Sequence, residues 1–278
     1  MLEFIGSEGC FVLAKILKSL FVLSKVSKME KRGQATVYIV IAVVIVAVGL
    51  VVFFLTRSSP NAGRQVQLSD VPDYIGDCLE TALMEAIYFN SVQGGYFLPP
   101  DDSVEFGYAG IPVFYDQGNA RMITLDQMKE ELARAVEFSV DHCVGDFDDF
   151  EKAGFSVSVQ EAPKARVDIV PGAVRASLNY PVAVSRGEES ARFTTYEREV
   201  PFDLIEKYNT IKAAMDLQMA HANDVPLIGF SELAYEKNIK FEVINIDPNT
   251  FVFVFEFPDS YKELKYRYAF AVRYANED

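Results

Sequence analysis

Residues 154–201 read GFSVSVQEAPKARVDIVPGAVRASLNYPVAVSRGEESARFTTYEREVP. Phe155, Val157 and Val159 alternate with Ser156, Ser158 and Gln160, the two-residue period of a strand with one buried face. Pro163-Lys164, Pro171-Gly172 and Arg186-Gly187-Glu188 then cut the run into segments at about 154–161, 165–170, 173–184 and 191–201. Four strands so close in sequence predict an antiparallel meander.

Outward from this run the pattern alternates with helices. Toward the C-terminus, Leu204, Ile205, Tyr208, Ile211, Met215 and Leu217 predict an amphipathic helix over about 203–223, and a shorter one follows near 227–236. Segments 239–246 and 251–257 flank Asp247-Pro248-Asn249-Thr250, a turn with proline at a favoured position, and predict a hairpin. Phe251, Phe253, Phe255 and Phe257 fall on one face of its second strand, as the core side or as an adhesive surface. A last strand is predicted at about 265–274. Toward the N-terminus, Thr124 and Gln127 have capping-box spacing for a helix over about 125–150, with Gly145 a break near its end. Short extended pieces are expected at 104–108 and 111–115. A further helix is expected at 71–92, where Gly94-Gly95 suits a left-handed exit. The fold class is α+β, an antiparallel sheet packed with helices.

Before this domain the chain changes character. Residues 57–70 are polar and read as a stalk, and Val37–Leu55 reads VYIVIAVVIVAVGLVVFFL, uncharged throughout. Nineteen helical residues span roughly 28 Å, close to a bilayer's hydrocarbon thickness, which predicts a transmembrane helix over 34–56. A buried core helix is the alternative. Lys25, Lys28, Lys31 and Arg32 precede the segment and only Arg57 directly follows it, so the N-terminus is placed in the cytoplasm and 71–278 outside the cell. Residues 1–28 either form a basic amphipathic helix on the inner leaflet or precede the true start at Met29.

The chain has 278 residues and a formal net charge of −14. Residues 1–33 carry six bases and three acids, so the remaining 20 bases and 37 acids give a net −17. An acidic exterior repels phosphate, and a nucleic-acid partner is excluded.

Lys31-Arg32-Gly33-Gln34, directly before the apolar run, resembles the class III signal peptide of archaeal type IV pilin-like proteins. The resemblance implies cleavage between Gly33 and Gln34 by a prepilin peptidase, a basic leader at 1–33, and retention of the apolar helix in the mature chain. It also implies self-assembly through that helix into a filament, where Ala42, Ala47 and Gly49 would permit close approach. The chain departs from the family at Tyr38, where many pilins carry Glu at the fifth mature position. An uncleaved, monomeric signal anchor displaying a binding domain is the alternative.

Cys78 and Cys143 both fall in the part placed outside, as a disulfide candidate or as two buried thiols. Closing a loop of about 65 residues would stabilise the fold by roughly 4 kcal/mol. His142 adjoins Cys143, but neighbouring helical positions diverge and no CxxC or HxxxH spacing occurs, so neither a metal site nor a Cys-His nucleophile is expected. His221 lies near Asp216 and Asp224 without a nucleophile elbow. Asp146, Asp148, Asp149 and Glu151 lack EF-hand spacing. The expectation is a structural or interaction protein, with no cofactor and no catalytic centre. An anchored exoenzyme stands as a third reading, to be rescued by a pocket of convergent polar groups.

Overall fold

The computed structural model describes residues 67–145 and 147–275. The Gly33–Gln34 string, the predicted helix 34–56 and most of the stalk lie outside the described residues, as does Asp146. The described residues form one compact unit. Among the described residues, no helix is long and apolar enough to cross a membrane.

The elements run α1 (Asp70–Val92), β1 (Ser103–Phe106), β2 (Ala109–Asp116), β3 (Asn119–Ala120), α2 (Leu125–Val144), α3 (Asp148–Lys152), β4 (Ser156–Val159), β5 (Lys164–Val170), β6 (Ala173–Arg186) and β7 (Glu189–Val200). They continue with α4 (Leu204–Ala220), α5 (Leu227–Lys237), β8 (Lys240–Asp247), β9 (Thr250–Tyr261) and β10 (Leu264–Arg273). The class is α+β. Two sheets divide the strands, and the first has the order β1-β2-β10-β9-β8 with β3 on β2. It is not wholly antiparallel, because β10 enters beside β2 in parallel, matching Ala271 to Val113. Hairpin geometry cannot specify that pairing, since the paired residues stand more than 150 positions apart in sequence.

The second sheet corrects the predicted meander. β4 pairs with β6 through Ser156↔Ser185 to Val159↔Val182, and β5 pairs with the same edge through Lys164↔Asn179 to Val170↔Ala173. They are two pieces of one broken strand, while β7 follows the other edge of β6. The break lies opposite Pro181, which has no N–H to donate, and the β6–β7 register shifts between Asn179 and Val182. Gln160 N–H bonds the Pro181 carbonyl at 3.0 Å, so the proline's acceptor is still used.

Residue chemistry explains the helix ends. Thr124 accepts from Gln127 N–H at 3.2 Å and the Gln127 side chain accepts from Thr124 N–H at 2.9 Å, closing the capping box. α2 ends at Val144, short of the predicted 150, because Gly145 (φ 38°) and Phe147 (φ 58°) leave helical backbone before the short α3 begins. α1 exits through Gly94 (φ 62°) and Gly95 (φ 93°), conformations that side chains resist.

One continuous core joins the helices to both sheets. From the first sheet come Phe253, Phe255, Phe257, Phe270, Tyr266 and Tyr268, all at most 5% exposed, and from the second Val174, Leu178, Val182 and Val184. The phenylalanine stripe is therefore the core side of β9, with Phe251 half-buried at its end. A smaller apolar set, including Val113, Val252 and Ala271, lies on the other face of the first sheet.

Candidate functional site

The Cys78 and Cys143 sulfurs lie at disulfide bonding distance, with Cα atoms 5.7 Å apart, and link α1 to the last turn of α2. Tyr74, one turn before Cys78, reinforces the link. Its hydroxyl donates to the Cys143 and Val144 carbonyls at 3.3 and 3.1 Å, using acceptors that the helix end leaves open. Burial and the nearby Asp149 carboxylate raise the Tyr74 pKa above the usual tyrosine value. Its ring meets Phe147 and Phe150 edge-on.

The helix pair joined by this clasp carries an exposed aromatic row. Phe97 lies between Phe89 and Phe138, at ring separations of 6.4 and 5.7 Å, and Phe138 covers the His142 ring at 4.4 Å. Phe89 and Phe138 remain 55% and 56% exposed, with Val92 and Leu98 exposed nearby. The row is held from beneath. Phe97 N–H donates to the buried Glu131 carboxylate at 3.1 Å, and Gln93 donates to the Phe97 carbonyl at 3.1 Å. Arg134 balances the Glu131 charge at 3.1 Å. Exposed apolar groups gathered in this way mark contact surfaces more often than stray ones do.

The remaining residues flagged in the sequence stay apart. His142 Nδ1 lies 2.9 Å from the Phe138 carbonyl, and Cys143 is taken up by the disulfide, so the two do not share a site. His221 sits at the end of α4 with Nδ1 3.0 Å from the Leu217 carbonyl, and Asp216 pairs with Lys212 at 3.0 Å. Asp148 and Asp149 both approach Lys152. Among the described residues, no group of three His, Cys, Asp or Glu side chains is placed to hold a metal ion.

A second candidate region was illegible in the sequence because it rests on buried polar residues inside a helical pattern. Gln218, fully buried on α4, donates to the His221 and Asp224 carbonyls at 2.8 and 3.2 Å and accepts from the Tyr274 hydroxyl at 2.9 Å. The Tyr115 hydroxyl donates to the Ala222 carbonyl at 3.0 Å. These bonds fix the 221–226 loop beside the β8–β9 turn, and between them lies a concavity of about 600 Å³. Burial drives the Tyr274 pKa above the tyrosine range. Elsewhere, Lys207 is buried beneath Phe202 and pairs with Asp259 at 3.2 Å, tying α4 to β9. The ordinary period of α4 hides these roles, since Lys207 and Gln218 look like surface residues until neighbouring chain covers them.

No family model matches the chain, and no curated protein or solved structure gives a significant match.

Proposed function

We propose that the chain is a membrane-anchored, pilin-like protein of the cell surface with a structural or interaction role. A prepilin peptidase cuts it between Gly33 and Gln34, helix 34–56 holds it in the membrane, and the acidic α+β domain faces outward. The observation that carries this reading is the string Lys31-Arg32-Gly33-Gln34 set directly before an uncharged run long enough to span a bilayer. Two further features support it. A disulfide between α1 and α2 suits an oxidising exterior. The row Phe89, Phe97 and Phe138 offers a rigid apolar surface to a partner.

Intact mass and N-terminal sequencing of protein from native membranes test the reading. A mature chain beginning at Gln34 is expected, together with an uncut precursor when Gly33 is replaced by Val. A wild-type chain that retains Lys31 and Arg32 would overturn it. The uncleaved, monomeric signal anchor is favoured by one observation, Tyr38 in place of the pilin glutamate. That reading expects no shift in mass on Gly33 replacement and a monomer after solubilisation.

A further inference from the structure

We propose that the concavity between the 221–226 loop and the β8–β9 turn is a binding site for a neutral saccharide ring. Its volume of about 600 Å³ lies in the range of small-molecule sites. Its lining combines two kinds of group. Asn223 and Asp224 bring an amide and a carboxylate side chain, while half-buried Phe251 brings an aromatic ring, backed edge to face at 5.6 Å by the buried Tyr274.

A pyranose ring presents the same two chemistries. Its C–H face is apolar and packs on an aromatic side chain, and its hydroxyls each donate and accept. Amides supply donors and acceptors together, and a carboxylate accepts from two neighbouring hydroxyls. Among the described residues that line it none is cationic, and Asp224 is acidic, so phosphorylated or carboxylate ligands find no counter-charge in them. A wholly apolar ligand would leave the polar rim without partners.

The walls are also set before any ligand arrives. Tyr274 holds both of them. Its hydroxyl bonds Gln218, which fixes the His221 and Asp224 carbonyls, and its backbone N–H donates to the Asn249 carbonyl at 2.9 Å. Within the turn, Asn249 N–H donates to Asp247 at 2.9 Å, and that bond holds the Asp247 carboxyl below its usual pKa. A groove ordered by buried bonds loses little freedom on binding, which favours weak polar ligands. This site is independent of membrane anchoring, so its failure would leave the reading of residues 31–56 untouched.

The test uses the full-length chain in lipid nanodiscs, because alkyl-glycoside detergents carry the same chemistry. Glucose, galactose, mannose and N-acetylglucosamine serve as probes in ligand-observed saturation-transfer NMR. At least one is expected to receive saturation. Asp224→Ala and Asn223→Ala each weaken that sugar by about fivefold or more, as loss of a hydrogen bond would. Asp224→Ala removes only the carboxylate, since Gln218 bonds its main-chain carbonyl, and both positions are exposed, so the melting temperature should hold. Arg166→Ala, on the second sheet, should leave binding unchanged. No transfer to any of the four sugars would overturn the proposal. Equal binding by a combined Asn223→Ala, Asp224→Ala variant would do so as well.

Discussion

At the scale of single residues, backbone conformation and close approach decide which changes are tolerated. A Cβ on Gly94 would lie 2.5 Å from Pro112 Cγ and 3.2 Å from the Ala269 carbonyl, in a backbone at φ 62°. Left-handed strain and overpacking act together there, so Gly94→Ala should destabilise by about 2–4 kcal/mol. Glu263 is the opposite case. With Lys262 it forms the β9–β10 turn, both at positive φ (47° and 68°), and neither is a residue that favours this geometry. Glu263→Gly should therefore raise stability by about 0.5–1 kcal/mol. Urea denaturation of both variants checks the pair. A neutral Gly94→Ala would show that α1 can leave by another route.

At the scale of elements, buried polar side chains hold segments that hydrophobic packing does not reach. Gln218 anchors the 221–226 loop through two bonds and ties it to Tyr274 through a third. Gln218→Leu keeps the volume but strands two carbonyls and the Tyr274 hydroxyl, an expected loss of roughly 2–4 kcal/mol. Hydrogen exchange should accelerate in 221–226 and at the β8–β9 turn before it changes in β6. Uniform acceleration across the domain would refute this local role. Strand pieces obey the same accounting of donors. Pro258 is accepted inside β9 because β8 pairs with β9 only as far as Glu256 and the β9–β10 register breaks opposite the proline, between Lys265 and Arg267.

At the scale of the whole molecule, two properties can be measured directly. The Cys78–Cys143 link closes 65 residues of chain, and its removal by reduction, or by replacing both cysteines with Ser, should lower stability by roughly 4 kcal/mol. Denaturation with and without reductant reads this, and equal midpoints would mean that the bond does not form. The second property is alkaline stability. Burial pushes Tyr88 and Tyr196 up to about 12, with the Asp259 charge adding to Tyr88 and Tyr180 adding to Tyr196. Below pH 10 folded and unfolded chains both keep these protons, so the stabilisation is complete. Above about 10 the unfolded chain releases them first, and stability falls as pH rises toward 12. Unfolding should therefore accompany the late phenolate absorbance. Ionisation of every tyrosine near pH 10 in a chain that stays folded would contradict the burial.

Local periodicity and turn chemistry made most elements legible in the amino-acid order alone. Thr124 and Gln127 specify a helix start by bonds only three residues long, and Asp247-Pro248-Asn249-Thr250 specifies a hairpin by its own backbone preferences. The α+β class follows from those local signals. Pairings across long separations did not, because a strand's pattern names its buried face and not its neighbour. That is why neither the parallel pairing of β10 with β2 nor the edge of β6 shared by β4 and β5 was legible. The candidate sites divide along the same line. Cys78 and Cys143 could be singled out as residues, but the aromatic row and the groove exist only where distant segments converge. Phe97 joins Phe89 to Phe138, and Tyr274 joins the 221–226 loop to the β8–β9 turn, through contacts that only the tertiary fold creates.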